Sequence, residues 1–258
     1  MKWDVKLYEK FNEERLQPII DLIHRIPEEQ YKKILDVGCG SGMSTVPLVN
    51  RFPKAEVIGV DASREMLNKA KDSCEEITWI QKDCSKPLTD LGTFDLIFSN
   101  AFLQWLQDQE VFLKNITQCL NPNGILALQV PNYDAMPVKQ CVDRVIASYG
   151  RRFEEINKGM CHNHTLPNYY DILSKYYEEI SIWQTNYAHI IESYEAIVEF
   201  VSGTGLRPYL QEMEEEEKES FKKALITELK KVYPIQRNGK IIFTFERIEF
   251  IAKKNKEI

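Results

Sequence analysis

The segment of this chain best suited to chemistry is Asp36-Val37-Gly38-Cys39-Gly40-Ser41-Gly42, which closes a short apolar run and opens a helical pattern. Glycines at alternate positions let a backbone turn sharply and approach a ligand with no Cβ in the way. They do so here at the carboxyl end of a strand, where open α/β sheets bind ligands. A dinucleotide loop would continue as G-x-G-x-x-G. Position 43 is Met, and the register begun at Gly40 fails at Thr45, so the NAD pattern is absent while the ligand-binding geometry is kept.

Two further acids follow the loop. Asp61, in Gly59-Val60-Asp61-Ala62-Ser63, ends a second apolar run at the distance where a carboxylate accepts hydrogen bonds from ribose hydroxyls. Asp83 follows a third run in Gln81-Lys82-Asp83-Cys84. A lone acid there would be a cap or turn former, but three in consecutive strand-helix units after one glycine loop form a constellation.

The elements that must hold these residues alternate from Tyr31 to about Pro131, short apolar runs with longer helical patterns, the signature of βαβ units and a mostly parallel sheet. Strands are expected at 34–37, 56–60, 78–81, 94–99 and 125–130, and helices at 43–51, 64–73 and 110–119. Pro53 and Asn121-Pro122-Asn123-Gly124 are read as stops. Residues 134–173, rich in Tyr, Asn and His, show little periodicity beyond a helix near 138–148 and read as an insertion. Residues 180–188 and 241–252 are β-branched and aromatic and are expected to complete the sheet; 193–202 and 213–232 look helical. No repeat or flexible linker separates these parts, so one domain over 1–258 is expected, with an N-terminal helical segment (1–30) covering the ligand site, a core (31–131), and a helical cap (134–175 and 193–233).

The bulk numbers narrow the partners. At 258 residues with 43% hydrophobic the chain can bury a core, and a net charge of −6 leaves no positive field for phosphate backbones or anionic lipid. Six scattered cysteines without a CxxC pair read as reduced thiols, and no apolar run is long enough to span a bilayer, so a cytoplasmic location is expected. Cys161-His162-Asn163-His164 lacks a second ligand cluster at zinc-like spacing, and no metal is expected. The acidic run 214–217 reads as a solvated helix face.

The loop, Gly59-Val60-Asp61, Asp83 and Phe94-Asp95-Leu96-Ile97-Phe98-Ser99-Asn100 together resemble the class I methyltransferases that use S-adenosyl-L-methionine. The resemblance implies a Rossmann-like α/β fold, a doubly wound seven-stranded mostly parallel sheet with a helical cap or insertion. It also implies that Asp36, Gly38, Cys39, Gly40 and Gly42 hold the methionine part of the cofactor, Asp61 the ribose, and Asp83 with Cys84 the adenine. Ala62, Ser63, Met66, Asn100, Ala101 and Trp105 complete that cofactor set.

A closer resemblance, to the trans-aconitate 2-methyltransferase family, runs along nearly the whole chain. It is carried by Trp3-Asp4 with Tyr8, Phe11, Arg15 and Pro18, by Ser99-Asn100-Ala101-Phe102-Leu103-Gln104-Trp105, by Ile182-Trp183-Gln184-Thr185-Asn186-Tyr187-Ala188-His189, and by Gly203-Thr204-Gly205-Leu206-Arg207-Pro208-Tyr209-Leu210. It implies methylation of a small polycarboxylic acid. A carboxylate with a pKa of about 4 is ionised at neutral pH, so no general base is needed and no proton-transfer residue is nominated. Alignment and desolvation remain as the enzyme's task. The non-reacting carboxylates call for a guanidinium fork, for which Arg207 is the first candidate and Arg15, Arg151 and Arg152 weaker ones. Tyr8, Phe11 and Trp105 are candidates to line the chamber, where aromatic faces favour a sulfonium. Tyr187 and His189 alternate on a strand and can donate to acceptor oxygens from one face. A monomer or weak homodimer is expected. The alternatives are an enzyme for another or a carrier-bound acid, which calls for a basic docking patch, and a catalytically silent cofactor-binding module.

Overall fold

In the computed structural model, residues 11–74, 76–159 and 163–254 are described. Their seven strands are β1 (Lys33–Val37), β2 (Glu56–Asp61), β3 (Thr78–Gln81), β4 (Phe94–Asn100), β5 (Leu120–Pro131), β6 (Tyr177–Ile191) and β7 (Ile241–Lys254), in the order β3-β2-β1-β4-β5-β7-β6. The pairings β1 with β2, β1 with β4, β2 with β3, and β4 with β5 are all parallel. Strand order reverses at β1, where neighbouring crossovers leave in opposite directions and their loops part into a crevice. The glycine loop follows that strand. The α/β class, the seven strands and the mostly parallel sheet are as the sequence led us to expect.

The connecting helices are α1 (Asn12–Arg25), α2 (Thr45–Arg51), α3 (Arg64–Ser73), α4 (Gln109–Gln118), α5 (Pro137–Ala147), α6 (Glu154–Gly159), α7 (Leu166–Leu173), α8 (Tyr194–Ser202), α9 (Arg207–Gln211) and α10 (Glu215–Val232). Four begin at side-chain caps: Ser63 accepts from Met66 N, Asp108 from Val111 N, Thr165 from Asn168 N and Ser193 from Ala196 N.

Three readings need correction. Helix α2 starts at Thr45 rather than 43, because Gly42 is held at φ 87° and the chain cannot enter a right-handed helix until past it. The Asn121-Pro122-Asn123-Gly124 stop lies inside β5. Leu120 already pairs with Phe94, and a register shift before Leu96–Ile125, with Asn123 at φ 61°, absorbs the turn residues as an irregularity of the strand. The 134–173 stretch contains α6 and α7 beside the expected helix. Tyr169, Ile172 and Leu173 are buried at helical spacing behind the Thr165 cap.

The described residues fall into two compact units. Residues 11–15, 132–159 and 186–247 form one, and 16–74, 76–131, 163–185 and 248–254 the other. The first has its own core, in which Phe200, Phe221 and Phe243 are almost fully buried. The second has two, one centred on Leu35, Phe94, Leu113 and Phe250 and one on Ile34, Leu96 and Phe98, because both faces of a parallel sheet must be covered.

Helix α7 belongs to the sheet unit through Leu173, fully buried, and through the Tyr169 hydroxyl, which donates to Gln109 Oε1 at 2.6 Å. Leu173→Ala is expected to cost about 2–5 kcal/mol through the cavity it leaves, and Tyr169→Phe about 1 kcal/mol. Urea unfolding of the two variants checks the ranking, which equal midpoint shifts or a larger shift in Tyr169→Phe would refute.

Candidate functional site

The site is built on the carboxyl ends of β1, β2 and β4. Asp36, the penultimate residue of β1, has no exposed surface, and its Oδ2 accepts from Ser44 Oγ and Thr45 Oγ1, both at 2.7 Å. Burial pushes its carboxyl up to about 6 against the opposing pull of those two hydroxyls. Among the described residues Oδ1 has no hydrogen-bond partner. Asp36 thus ties the start of α2 to the end of β1.

Between those two fixed points the loop is forced into a tight arc, with Gly38 at φ 73° and Gly40 at φ 56°. A Cβ on Gly38 would lie 2.5 Å from the Phe102 ring, so only glycine lets that ring pack on the loop. At Gly40 the corresponding position meets nothing within 4 Å, and the backbone there faces open space. Gly38 N and Cys39 N both donate to Val60 O, at 2.9 and 3.0 Å.

Asp61 fixes the middle of the arc. Its Oδ2 accepts from Gly40 N at 3.0 Å and its Oδ1 from Ser63 N at 2.7 Å, so one carboxylate joins the loop to the start of α3. Ala62 is exposed and its carbonyl accepts from Gln81 Nε2, while Met66 is buried in the first turn of α3. Asp83 is exposed and accepts from Ser85 N and Ser85 Oγ, which hold its carboxyl below the usual range. Cys39 and Cys84 are buried and burial raises both thiols, Cys84 to about 12, so neither is a nucleophile.

After β4 the chain turns through Ala101 at φ 53°, a left-handed conformation rare for a residue with a Cβ. The Ala101 carbonyl accepts from Gln104 Nε2 at 2.6 Å and Trp105 Nε1 at 3.2 Å, and a 3-10 turn at Leu103–Trp105 closes the bend. This explains Asn100-Ala101-Phe102-Leu103-Gln104-Trp105 physically. Trp105 is left 38% exposed, and the half-buried Asn100 keeps Oδ1 without a hydrogen-bond partner among the described residues.

These features fit S-adenosyl-L-methionine. An open backbone at Gly40, a strand-end carboxylate at Asp61, an orphaned acceptor at Asn100 and an exposed indole at Trp105 are the groups an aminoacyl chain, a ribose and a cationic sulfur call for.

The remaining candidates lie in the other unit. Phe11 is buried, its ring 5.0 Å from that of Phe200. Tyr187 and His189 share a face of β6 with rings stacked at 6.4 Å, and His189 is buried. Arg207 opens α9, buried, its guanidinium held by burial below its ordinary value. Gly205 before it lets the Tyr133 ring approach, for a Cβ would lie 2.8 Å from it. Tyr8, Trp3, Cys161 and His162 lie outside the described residues.

Ser44, Thr45 and Arg247 escaped the sequence reading. The two hydroxyls follow a strand-end acid at a helix start, a recognisable bracing pattern. Arg247 shares the period-two face of Phe243 and Phe245 on β7 and is only 5% exposed, and a charge on an inward face is the signal that was available.

Sheet order, crevice loop and strand-end acids define a class I methyltransferase fold dependent on S-adenosyl-L-methionine. A family model for a methyltransferase domain matches residues 35–128. Among solved structures, the YcgJ protein from Bacillus subtilis aligns with a TM-score of 0.61 at 16% identity, covering 93% of this chain and 99% of that one. Haemonchus contortus phosphoethanolamine N-methyltransferase 2, solved with S-adenosyl-L-methionine, aligns with a TM-score of 0.57 at 16% identity, over 93% and 52% of the two chains. Trans-aconitate 2-methyltransferases of Escherichia coli K12 and Azoarcus sp. are each 36% identical, over 98% and 97% of this chain and 98% of their own lengths. The chain belongs to the trans-aconitate 2-methyltransferase family, and it is an S-adenosyl-L-methionine-dependent methyltransferase.

Asp36 generates a pH prediction. Its carboxyl titrates higher folded than unfolded, so its contribution favours folding below the unfolded value of about 4 and is lost as pH rises through about 6. Asp36→Asn keeps an acceptor for Ser44 and Thr45 without the buried charge. Its melting temperature relative to wild type is expected to rise between about pH 4 and 7 and to level off above that. A difference that stays constant over that range in differential scanning fluorimetry would exclude the effect.

Proposed function

We propose that the enzyme methylates a carboxylate of a small, trans-aconitate-like polycarboxylic acid, giving a methyl ester and S-adenosylhomocysteine. The observation that carries this reading is the similarity to enzymes named for that acid, which extends over the whole chain and therefore beyond the cofactor motifs. Bound S-adenosyl-L-methionine supplies an electrophilic methyl on a sulfonium. Gly38, Cys39, Gly40 and Gly42 cradle its aminoacyl chain on the arc braced by Asp36. Asp61 takes the ribose hydroxyls, Asp83 and Cys84 with Ala62, Ser63 and Met66 flank the adenine, and Asn100, Ala101 and Trp105 border the sulfur.

For the acceptor, Arg207 holds a non-reacting carboxylate with charge-assisted hydrogen bonds. Tyr187 and His189 donate to other oxygens of the acceptor, and Phe11 and Tyr8 exclude water from the nucleophile. No side chain moves a proton, since the nucleophile is already an anion. The reading includes a cytoplasmic monomer or weak homodimer with neither nucleic acid nor membrane as partner. The net charge of −6 supports the lack of a nucleic-acid or anionic-lipid partner, and among the described residues no helix is long and apolar enough to cross a membrane.

Three outcomes are expected. Asp61→Asn weakens S-adenosylhomocysteine binding by about tenfold or more in calorimetry, as loss of a charged acceptor should. Wild-type enzyme converts di- or tricarboxylates to methyl esters at a kcat/KM that is flat from about pH 6.5 to 8.5, because the acceptor is ionised throughout. Arg207→Met raises KM for the acid by about tenfold or more. Failure to esterify any polycarboxylate in a mass-spectrometric panel would remove this reading.

A further inference from the structure

Within the unit formed by residues 11–15, 132–159 and 186–247, three basic side chains from separate elements meet one layer of aromatic rings. The Arg15 guanidinium lies over the Phe200 ring, 5.0 Å from its centroid, and donates to Phe200 O at 3.3 Å. The Arg247 guanidinium lies over the Phe245 ring at 4.5 Å. Phe200 and Phe245 are in contact, with centroids 5.4 Å apart. The His189 ring lies against both, at 5.8 and 6.4 Å, with Tyr187 stacked on it. Arg15, His189 and Arg247 are 7%, 8% and 5% exposed.

His189 is the informative member. Its Nε2 is buried and, among the described residues, has no hydrogen-bond partner, although a buried imidazole nitrogen ordinarily finds one. Burial and the Arg247 charge push its titration down to about 4, so at neutral pH it is an uncharged donor-acceptor ring in the field of the Arg247 guanidinium. A neutral ring in a positive field is matched by an anionic acceptor of hydrogen bonds. A carboxylate oxygen supplies both the charge and the lone pair.

We infer that Arg15, His189 and Arg247 form an anion subsite for a second carboxylate of the acceptor, distinct from the group held by Arg207, and that it makes the enzyme prefer polycarboxylates over monocarboxylates. The inference rests on the polycarboxylate reading above. The rings of Phe200 and Phe245 keep the guanidiniums in place and the surroundings dry, which strengthens each ionic contact and makes it selective.

The test compares wild type, His189→Phe, His189→Gln and Arg247→Met as full-length proteins. Calorimetric titration uses trans-aconitate and S-adenosylhomocysteine, and esterification kinetics use trans-aconitate and a monocarboxylate of similar length. In His189→Phe, which preserves the aromatic layer, trans-aconitate affinity is expected to fall about tenfold or more and its KM to rise in step, with kcat within about twofold. The preference for trans-aconitate over the monocarboxylate drops by the same factor, while S-adenosylhomocysteine affinity stays at the wild-type value. His189→Gln, which retains an N–H donor, recovers to within about threefold of wild type, and Arg247→Met repeats the loss. An unchanged preference in both His189→Phe and Arg247→Met overturns the subsite. So does equal weakening of both acids, or a parallel loss of S-adenosylhomocysteine binding that marks a folding defect. If His189→Phe fails to give a melting transition, Arg247→Met decides. Wild type that binds trans-aconitate and esterifies nothing refutes the proposed reaction but leaves the subsite standing if His189→Phe abolishes that binding. Wild type that binds no polycarboxylate refutes both.

Discussion

The cofactor half of this enzyme depends on keeping one carboxylate dry. Asp36 has no exposed surface, and its burial is tolerable because two hydroxyls 2.7 Å away satisfy one oxygen. Those hydroxyls belong to Ser44 and Thr45, at the start of a helix, so the same two bonds fix where the helix begins relative to the strand. Gly38, Gly40 and Gly42 lie between these anchors, and their left-handed φ values are the consequence of closing so short a span. Asp61 then ties Gly40 to Ser63, which links the first and second strand-helix units through one side chain. A ligand arriving here meets a backbone already bent to receive it, so little ordering remains to oppose binding.

What could be read in the sequence follows from how local each cause is. Strand positions, the glycine loop, the helix after Ser63 and the strand-end acids were legible because apolar period, caps and glycine spacing are local signals. The stop at Asn121-Pro122-Asn123-Gly124 was misread because turn chemistry normally ends a strand. Here the Leu120–Phe94 pairing continues past it through an irregularity that only the partner strand reveals. Helix α7 was passed over although Tyr169, Ile172 and Leu173 have helical spacing, since two of its eight positions are tyrosines and Pro167 stands near its start. That proline occupies the first turn, where no amide donor is needed.

The left-handed Ala101 could not have been read at all. Its cost of order 1 kcal/mol is offset by the side chains of Gln104 and Trp105, both of which donate to its carbonyl. That arrangement exists only once the 3-10 turn has formed. The buried guanidiniums are a different failure. An arginine in a sequence is by base rate a surface residue, and Arg15 and Arg247 reveal themselves only where a tertiary fold stacks them on Phe200 and Phe245.

The division of the chain into two units bears on where its specificity resides. The general methyltransferase model covers only 35–128, all of it in the sheet unit, whereas the likeness to the trans-aconitate enzymes extends over 97–98% of the chain. A motif shared with methyltransferases of unrelated acceptors can describe only what they have in common, the handling of the cofactor. Discrimination among acceptors has to come from residues outside it. The unit formed by residues 11–15, 132–159 and 186–247 has its own aromatic core, and three of its arginines are buried, Arg15, Arg207 and Arg247. On the proposed reaction, the acceptor's carboxylates are the groups those cations would serve, in a protein that is acidic overall.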